Sequence, residues 1–146
     1  MNKFRSYSIV ILLIVIFAFA FPYVLGKFIQ VEQPLWWNQV FGDSVFSALL
    51  WPHILHGSAL FFTALPICFS TVWLFNKERW KIILVISIAI AMYFLIDVVR
   101  GFFFIGKFPT GYLLISYAVD LLKVFVIFPL AFYSVQCFTT LTSSKT

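Results

Sequence analysis

The sequence predicts an all-α integral membrane protein: four transmembrane helices in a bundle, N and C termini cytoplasmic, with a short interfacial segment between helices 1 and 2. Three observations predict it. Four apolar runs, at about 7–26, 45–75, 82–104 and 112–138, occupy most of the 146 residues. A helix rises about 1.5 Å per residue and the hydrocarbon layer is roughly 30 Å thick, so about 20 apolar residues cross it. The composition is 63 % hydrophobic and 10 % charged, against about 25 % charged in soluble domains. A chain this short has nothing left with which to cover four such helices. The third observation is where the positive charges lie. Lys3, Arg5, Lys77, Arg79, Lys81 and Lys145 fall on one side of the four-span plan, Lys27 and Lys107 on the other. Basic residues beside short loops stay cytoplasmic, which places both termini there. The net charge of +5 is therefore a topology signal and not a nucleic-acid footprint.

The first run opens with basic residues and contains Ala18-Phe19-Ala20, the pattern of a cleaved signal peptide. The apolar stretch continues through Phe21, Val24 and Leu25 to span length, so a retained helix is expected. Next comes Gln33-Pro34-Leu35-Trp36-Trp37-Asn38-Gln39-Val40-Phe41-Gly42, too short to span and too apolar for a free loop. Its paired tryptophans predict a piece lying along the outer surface, with Asp43 or Ser44 capping the helix that follows. That second helix is long for one straight span, and Pro52 predicts a bend where it enters the bilayer. Pro66 and Pro129 predict further kinks. The stretch 101–111, with Lys107 and Pro109, reads as the turn between the third and fourth spans, and 139–146 as a disordered tail.

Aromatic residues check the plan, because Trp and Tyr favour the two interfaces. Tyr23, Trp36, Trp37, Trp51 and Tyr112 map to the outer boundary, and Tyr7, Trp73, Trp80 and Tyr133 to the inner one. No hydrophilic stretch is long enough for a soluble domain, so a single membrane domain, 1–146, is expected. Cys68 and Cys137 show no ligand spacing and read as small apolar fillers on the reducing side.

Three spans contain ionisable residues at similar depth: His53 and His56 on the second, Asp97 and Arg100 on the third, Asp120 and Lys123 on the fourth. Each pair is spaced i, i+3, which puts both members on one helix face. Tyr93 lies one turn from Asp97, while Ser116 and Tyr117 lie one turn from Asp120. A lipid-facing charge costs several kcal/mol, so the three polar faces are expected to converge in the outer half of the membrane. Arg100 is the expected fork for Asp120, leaving Asp97 to Lys123 or Tyr117.

Such a set supports several chemistries. A charge-balanced network fixes helix register and needs no further purpose. The HxxH pair His53/His56 is able to hold a metal, with an aspartate completing the shell, or to supply one axial ligand to haem. A histidine beside an aspartate also handles the hydrogen of a quinone or quinol. A small proton-coupled carrier is a further reading, weakened because no internal repeat is visible. The commitment is to a non-enzymatic inner-membrane accessory or complex subunit, its partners the lipid bilayer and another membrane protein or a second copy. The redox or cofactor-binding anchor is the alternative.

Overall fold

The computed structural model describes residues 3–42, 45–75, 78–105 and 111–143, and no β-strand occurs among them. Five helices follow in order: α1 (Lys3–Phe28), α2 (Leu35–Phe41), α3 (Val45–Leu74), α4 (Arg79–Ile105) and α5 (Gly111–Ser143). Four of them contain stretches long and apolar enough to cross a membrane, Ser6–Phe28, Leu49–Leu74, Arg79–Phe104 and Leu114–Thr140. Helix is the natural state of these runs, since in hydrocarbon every backbone N–H and C=O must find its partner within the segment.

Pro22, Pro52, Pro66 and Pro129 all lie inside helices without ending them. Each removes one backbone donor, which membrane-type helices tolerate because neighbouring helices hold the freed turn. Two boundaries differ from the sequence reading. Residues 101–105 continue α4 instead of opening a turn, and 139–143 extend α5 instead of forming a tail. The physical reason at the second site is local: the Thr140 hydroxyl donates to the carbonyls of Gln136 and Cys137 at 3.0 and 2.9 Å, stapling the last turns. The expected caps Asp43 and Ser44, and Lys107 and Pro109, lie outside the described residues.

α3 is the hub. It packs most extensively against α5 and α1 and touches α4, while α4 packs on α5 and α1. Their common core contains the fully buried Phe17, Leu60, Ile86, Ile90, Val124, Phe128 and Phe132. Ala59, Ala64 and Ala131, also fully buried, let the backbones approach closely. That matters where van der Waals contact rather than water exclusion drives helix association. The buried Thr63, Thr71 and Ser87 each donate to the carbonyl four residues earlier, at 2.7, 2.8 and 2.8 Å, so none needs an interhelical partner. The outside is as greasy as the inside: Phe19, Phe103 and Phe104 are about four-fifths exposed.

The Phe21 and Phe94 rings both pack on His56, with centroids 5.3 and 5.9 Å away. The late turns of α1 and α4 and the early turns of α3 and α5 therefore lie together, at what is called here the His53 end. At the other end Trp80 packs edge-on against Phe132. α2 is a short helix strapped over the start of α3. Its Trp37 is buried against Phe41 and Trp51, with ring centroids 4.3 and 5.0 Å apart, and the Trp51 indole donates to the Val31 carbonyl at 3.4 Å. Trp36 points outward instead.

Candidate functional site

A polar cluster sits between α3 and α5 at the His53 end. Lys123 is its hinge. The ammonium donates to Asp120 Oδ1 at 2.7 Å and lies 2.7 Å from His53 Nδ1. An ammonium only donates, so His53 Nδ1 accepts and the imidazole proton resides on Nε2. That N–H points at Ser116 Oγ, 3.2 Å away. His53 Nδ1 also lies 3.2 Å from Asp120 Oδ1. With the proton on Nε2 these are two acceptors, held together by the ammonium they share. One cation, one carboxylate and a neutral imidazole form a closed, charge-balanced set spanning two helices.

The helix period brings this set about. Ser116, Asp120 and Lys123 fall at i, i+4 and i+7 on one face of α5, and His53 and His56 at i, i+3 on α3. α3 and α5 approach each other at Gly57, where a Cβ would lie 3.6 Å from Ile127 Cδ1, an ordinary contact distance that leaves no room for a larger side chain.

His56 completes the arrangement differently. Its ring is wedged against Phe21 and Phe94, with Nδ1 3.6 Å from Asp120 Oδ1. That is beyond hydrogen-bond length. Nδ1 is buried and has no partner, a condition that costs about 1–3 kcal/mol unless a ligand or water fills it.

Beside these groups opens a cavity of about 420 Å³. Its polar wall is His53, His56, Ser116 and Asp120, joined by Gln33. Its apolar wall comes from Leu25 of α1, Ile29 and Val31 of the α1–α2 connection, and Leu49, Trp51, Pro52 and Leu55 of α3. A second groove of about 480 Å³ lies across His53 and Ser116, bordered by Ile54, Ile115, Val119 and Lys123. Ile54, Ile115 and Val119 are exposed on the outside of the molecule.

The eight residues singled out in the sequence are thus divided. His53, His56, Asp120 and Lys123 come together. Asp97 and Arg100 do not: both are exposed on α4, and Arg100 lies over the Phe104 ring at 5.7 Å. The pairings expected from Arg100 to Asp120, and from Asp97 to Lys123 or Tyr117, are replaced by the bond from Lys123 to Asp120, three residues apart on the same helix. Tyr93 is exposed beside Phe94, and half-buried Tyr117 packs edge-on against Phe102. The apolar wall from 25–31 was missed by the sequence reading. Its wall-forming residues Leu25, Ile29 and Val31 are all apolar and carry no polar signal in the sequence, and the hydrogen bond from Trp51 to the Val31 carbonyl, 20 residues earlier, ties the stretch to α3.

Among the described residues no group of three or more His, Cys, Asp or Glu is placed to hold a metal ion. The position such an ion would take between His53 and Asp120 belongs to the Lys123 ammonium. His53 has both ring nitrogens engaged, which leaves His56 alone with a nitrogen free for an external group. The site is thus a hydrogen-bonding pocket with apolar walls, set among helices long and apolar enough to cross a membrane. Comparison with protein-family models, with curated proteins and with solved structures yields no match.

Proposed function

We propose that this chain is a small non-enzymatic subunit of a bacterial inner membrane. In this reading it is a four-helix bundle with both termini cytoplasmic, whose His53 end faces outward. The pocket there receives one amphipathic molecule with a hydrogen-bonding ring, of the quinone or quinol class. The excess of Lys and Arg at the Trp80 end supports the orientation. One observation carries the ligand: a cavity of about 420 Å³ with apolar walls, lined in part by His56, whose buried Nδ1 has no hydrogen-bond partner among the described residues. Pockets for small molecules are of this size and make-up, a few convergent polar groups among apolar ones.

The chemistry fits at both ends of such a molecule. A quinone carbonyl accepts from the His56 N–H, and a quinol hydroxyl donates to Asp120. The ring stacks on the apolar wall, and an apolar tail lies in the neighbouring groove past Ile54, Ile115 and Val119. Haem suits the site less well, because only His56 offers a nitrogen.

Titrating the purified protein in nanodiscs with a short-chain benzoquinone tests this. Trp51, which lines the cavity, is expected to show saturable fluorescence quenching, lost in Trp51→Phe and weakened at least tenfold in His56→Leu. Quenching that never saturates, or that His56→Leu leaves unchanged, defeats the reading. A Soret absorption in the purified protein, lost in His56→Leu, replaces it with haem ligation.

A further inference from the structure

The groups that remain unexplained are Asp97 and Arg100. Both lie inside the apolar span Arg79–Phe104, and both are exposed. Neither makes an ion pair or hydrogen bond among the described residues; Arg100 has only the Phe104 ring. By helical rise Asp97 lies about 10 Å inside the end of the span. An arginine so close to a helix end is able to extend toward the interface, but an aspartate's short side chain is not. The two opposite charges nearest in the bundle are already committed to each other, Lys123 to Asp120 and Asp120 to Lys123.

We infer that the outward face of α4 at the His53 end is a self-association surface, on which Asp97 of one copy pairs with Arg100 of a second copy, and the reverse. The argument is charge complementarity. In a two-fold dimer whose axis runs along the membrane normal, equivalent residues sit at equal depth and every contact occurs twice. Asp97 and Arg100 differ by three residues, so each cross-pair has an offset of about 4.5 Å along the helix, which an arginine spans. One operation then satisfies four intramembrane charges with no other partner.

The surroundings suit close helix packing. Arg100 borders a shallow groove of about 390 Å³ with Ile96, Val99 and Phe103, and these three apolar residues are exposed. Spaced i, i+3, i+7, they form the kind of stripe along which parallel helices meet. The surface is separate from the ligand pocket, which lies between α3 and α5, and it stands or falls independently of that reading.

Charge exchange tests it. Arg100→Asp makes both positions acidic, and Asp97→Arg makes both basic. Each purified variant, and the wild type, is labelled and reconstituted in liposomes across a range of protein-to-lipid ratios, and association is read by energy transfer. The wild type is expected to self-associate. Each variant alone is expected to lose this at least tenfold, and a mixture of the two to regain it, since the mixed pair restores two acidic positions facing two basic ones. Regain in the mixture also shows that both variants are folded. A monomeric wild type overturns the inference. So do variants that self-associate like the wild type, and a mixture that fails to associate.

Discussion

Lys123 decides the chemistry of the pocket, because it alone supplies positive charge to a carboxylate and two imidazoles. Removing it while Asp120 stays leaves a half-buried carboxylate without a cation, a change that costs about 3 kcal/mol or more where burial is deep. Lys123→Met is therefore expected to lower unfolding stability in detergent by about 2–3 kcal/mol. Adding Asp120→Asn should recover part of that loss, with a coupling of about 1–3 kcal/mol between the two sites. Chemical denaturation of the four proteins of the cycle checks this, and simple additivity would show that the pair is not a unit. Glu78 is a second residue with a local role, just before α4. Its φ is +62°, a left-handed conformation that side chains adopt at a cost of roughly 1 kcal/mol. Its carbonyl accepts from the Ile82 N–H at 3.1 Å, and its carboxylate accepts from Lys81 at 2.9 Å. That hydrogen bond, with the lysine's charge, holds the Glu78 carboxyl below its ordinary range. A depressed carboxylate contributes stability above its unfolded value and loses it as pH falls through its folded one. The contribution here is small because the pair is exposed to solvent. Lys81→Gln is expected to move the Glu78 titration upward toward an ordinary glutamate, read by carboxyl carbon NMR.

At the scale of elements, the helices themselves were written in the sequence, while the direction of their faces was written only in part. Length and composition suffice to mark a membrane-type helix, so four apolar runs became four helices. Facing is harder, because in lipid both the buried and the exposed side of a helix are apolar and no contrast marks the inner stripe. The one rule left is that charges turn inward. It anticipated the meeting of α3 with α5 through His53, His56, Asp120 and Lys123, but not α4, where Asp97 and Arg100 point outward. The rule assumes a lone chain, and a second chain offers charges another way to be satisfied. Gly57 shows how closely the two site-bearing elements depend on each other. A methyl there would meet Ile127 at ordinary contact distance, and alanine in place of glycine within a helix gains about 0.5–1 kcal/mol. Gly57→Ala is thus expected to be neutral or mildly stabilising in thermal unfolding. Gly57→Leu should push α3 off α5, part His53 from Ser116 and Lys123, and abolish saturable quinone quenching while the protein still inserts into the membrane. Retained quenching in that variant would show that the pocket does not need this close approach.

For the whole molecule, the distribution of charge and the placement of the pocket make a joint statement about orientation. The His53 end gathers the cavity, the α2 strap and the cluster of His53, His56, Asp120 and Lys123. The Trp80 end lies beside Glu78, Arg79 and Lys81, within the basic cluster that the positive-inside rule assigns to the cytoplasm. If that assignment holds, a ligand reaches the pocket from the outer leaflet and never from the cytoplasm. Two exposed residues report on it directly: Glu32, in the connection between α1 and α2, and Glu78, in the connection between α3 and α4. The native thiols are first removed as Cys68→Ala and Cys137→Ser. Alanine fits at Cys68, whose Sγ makes a weak contact to the Phe128 carbonyl at 3.8 Å. In that background Glu32→Cys is expected to react with a membrane-impermeant maleimide on intact spheroplasts, and Glu78→Cys only after permeabilisation. The reverse pattern would invert the molecule and put the pocket on the cytoplasmic face, where the same geometry would have to draw its ligand from the inner leaflet. Labelling of both positions from outside would mean an even number of crossings between them, and α3 would then not span the membrane as its length and composition allow.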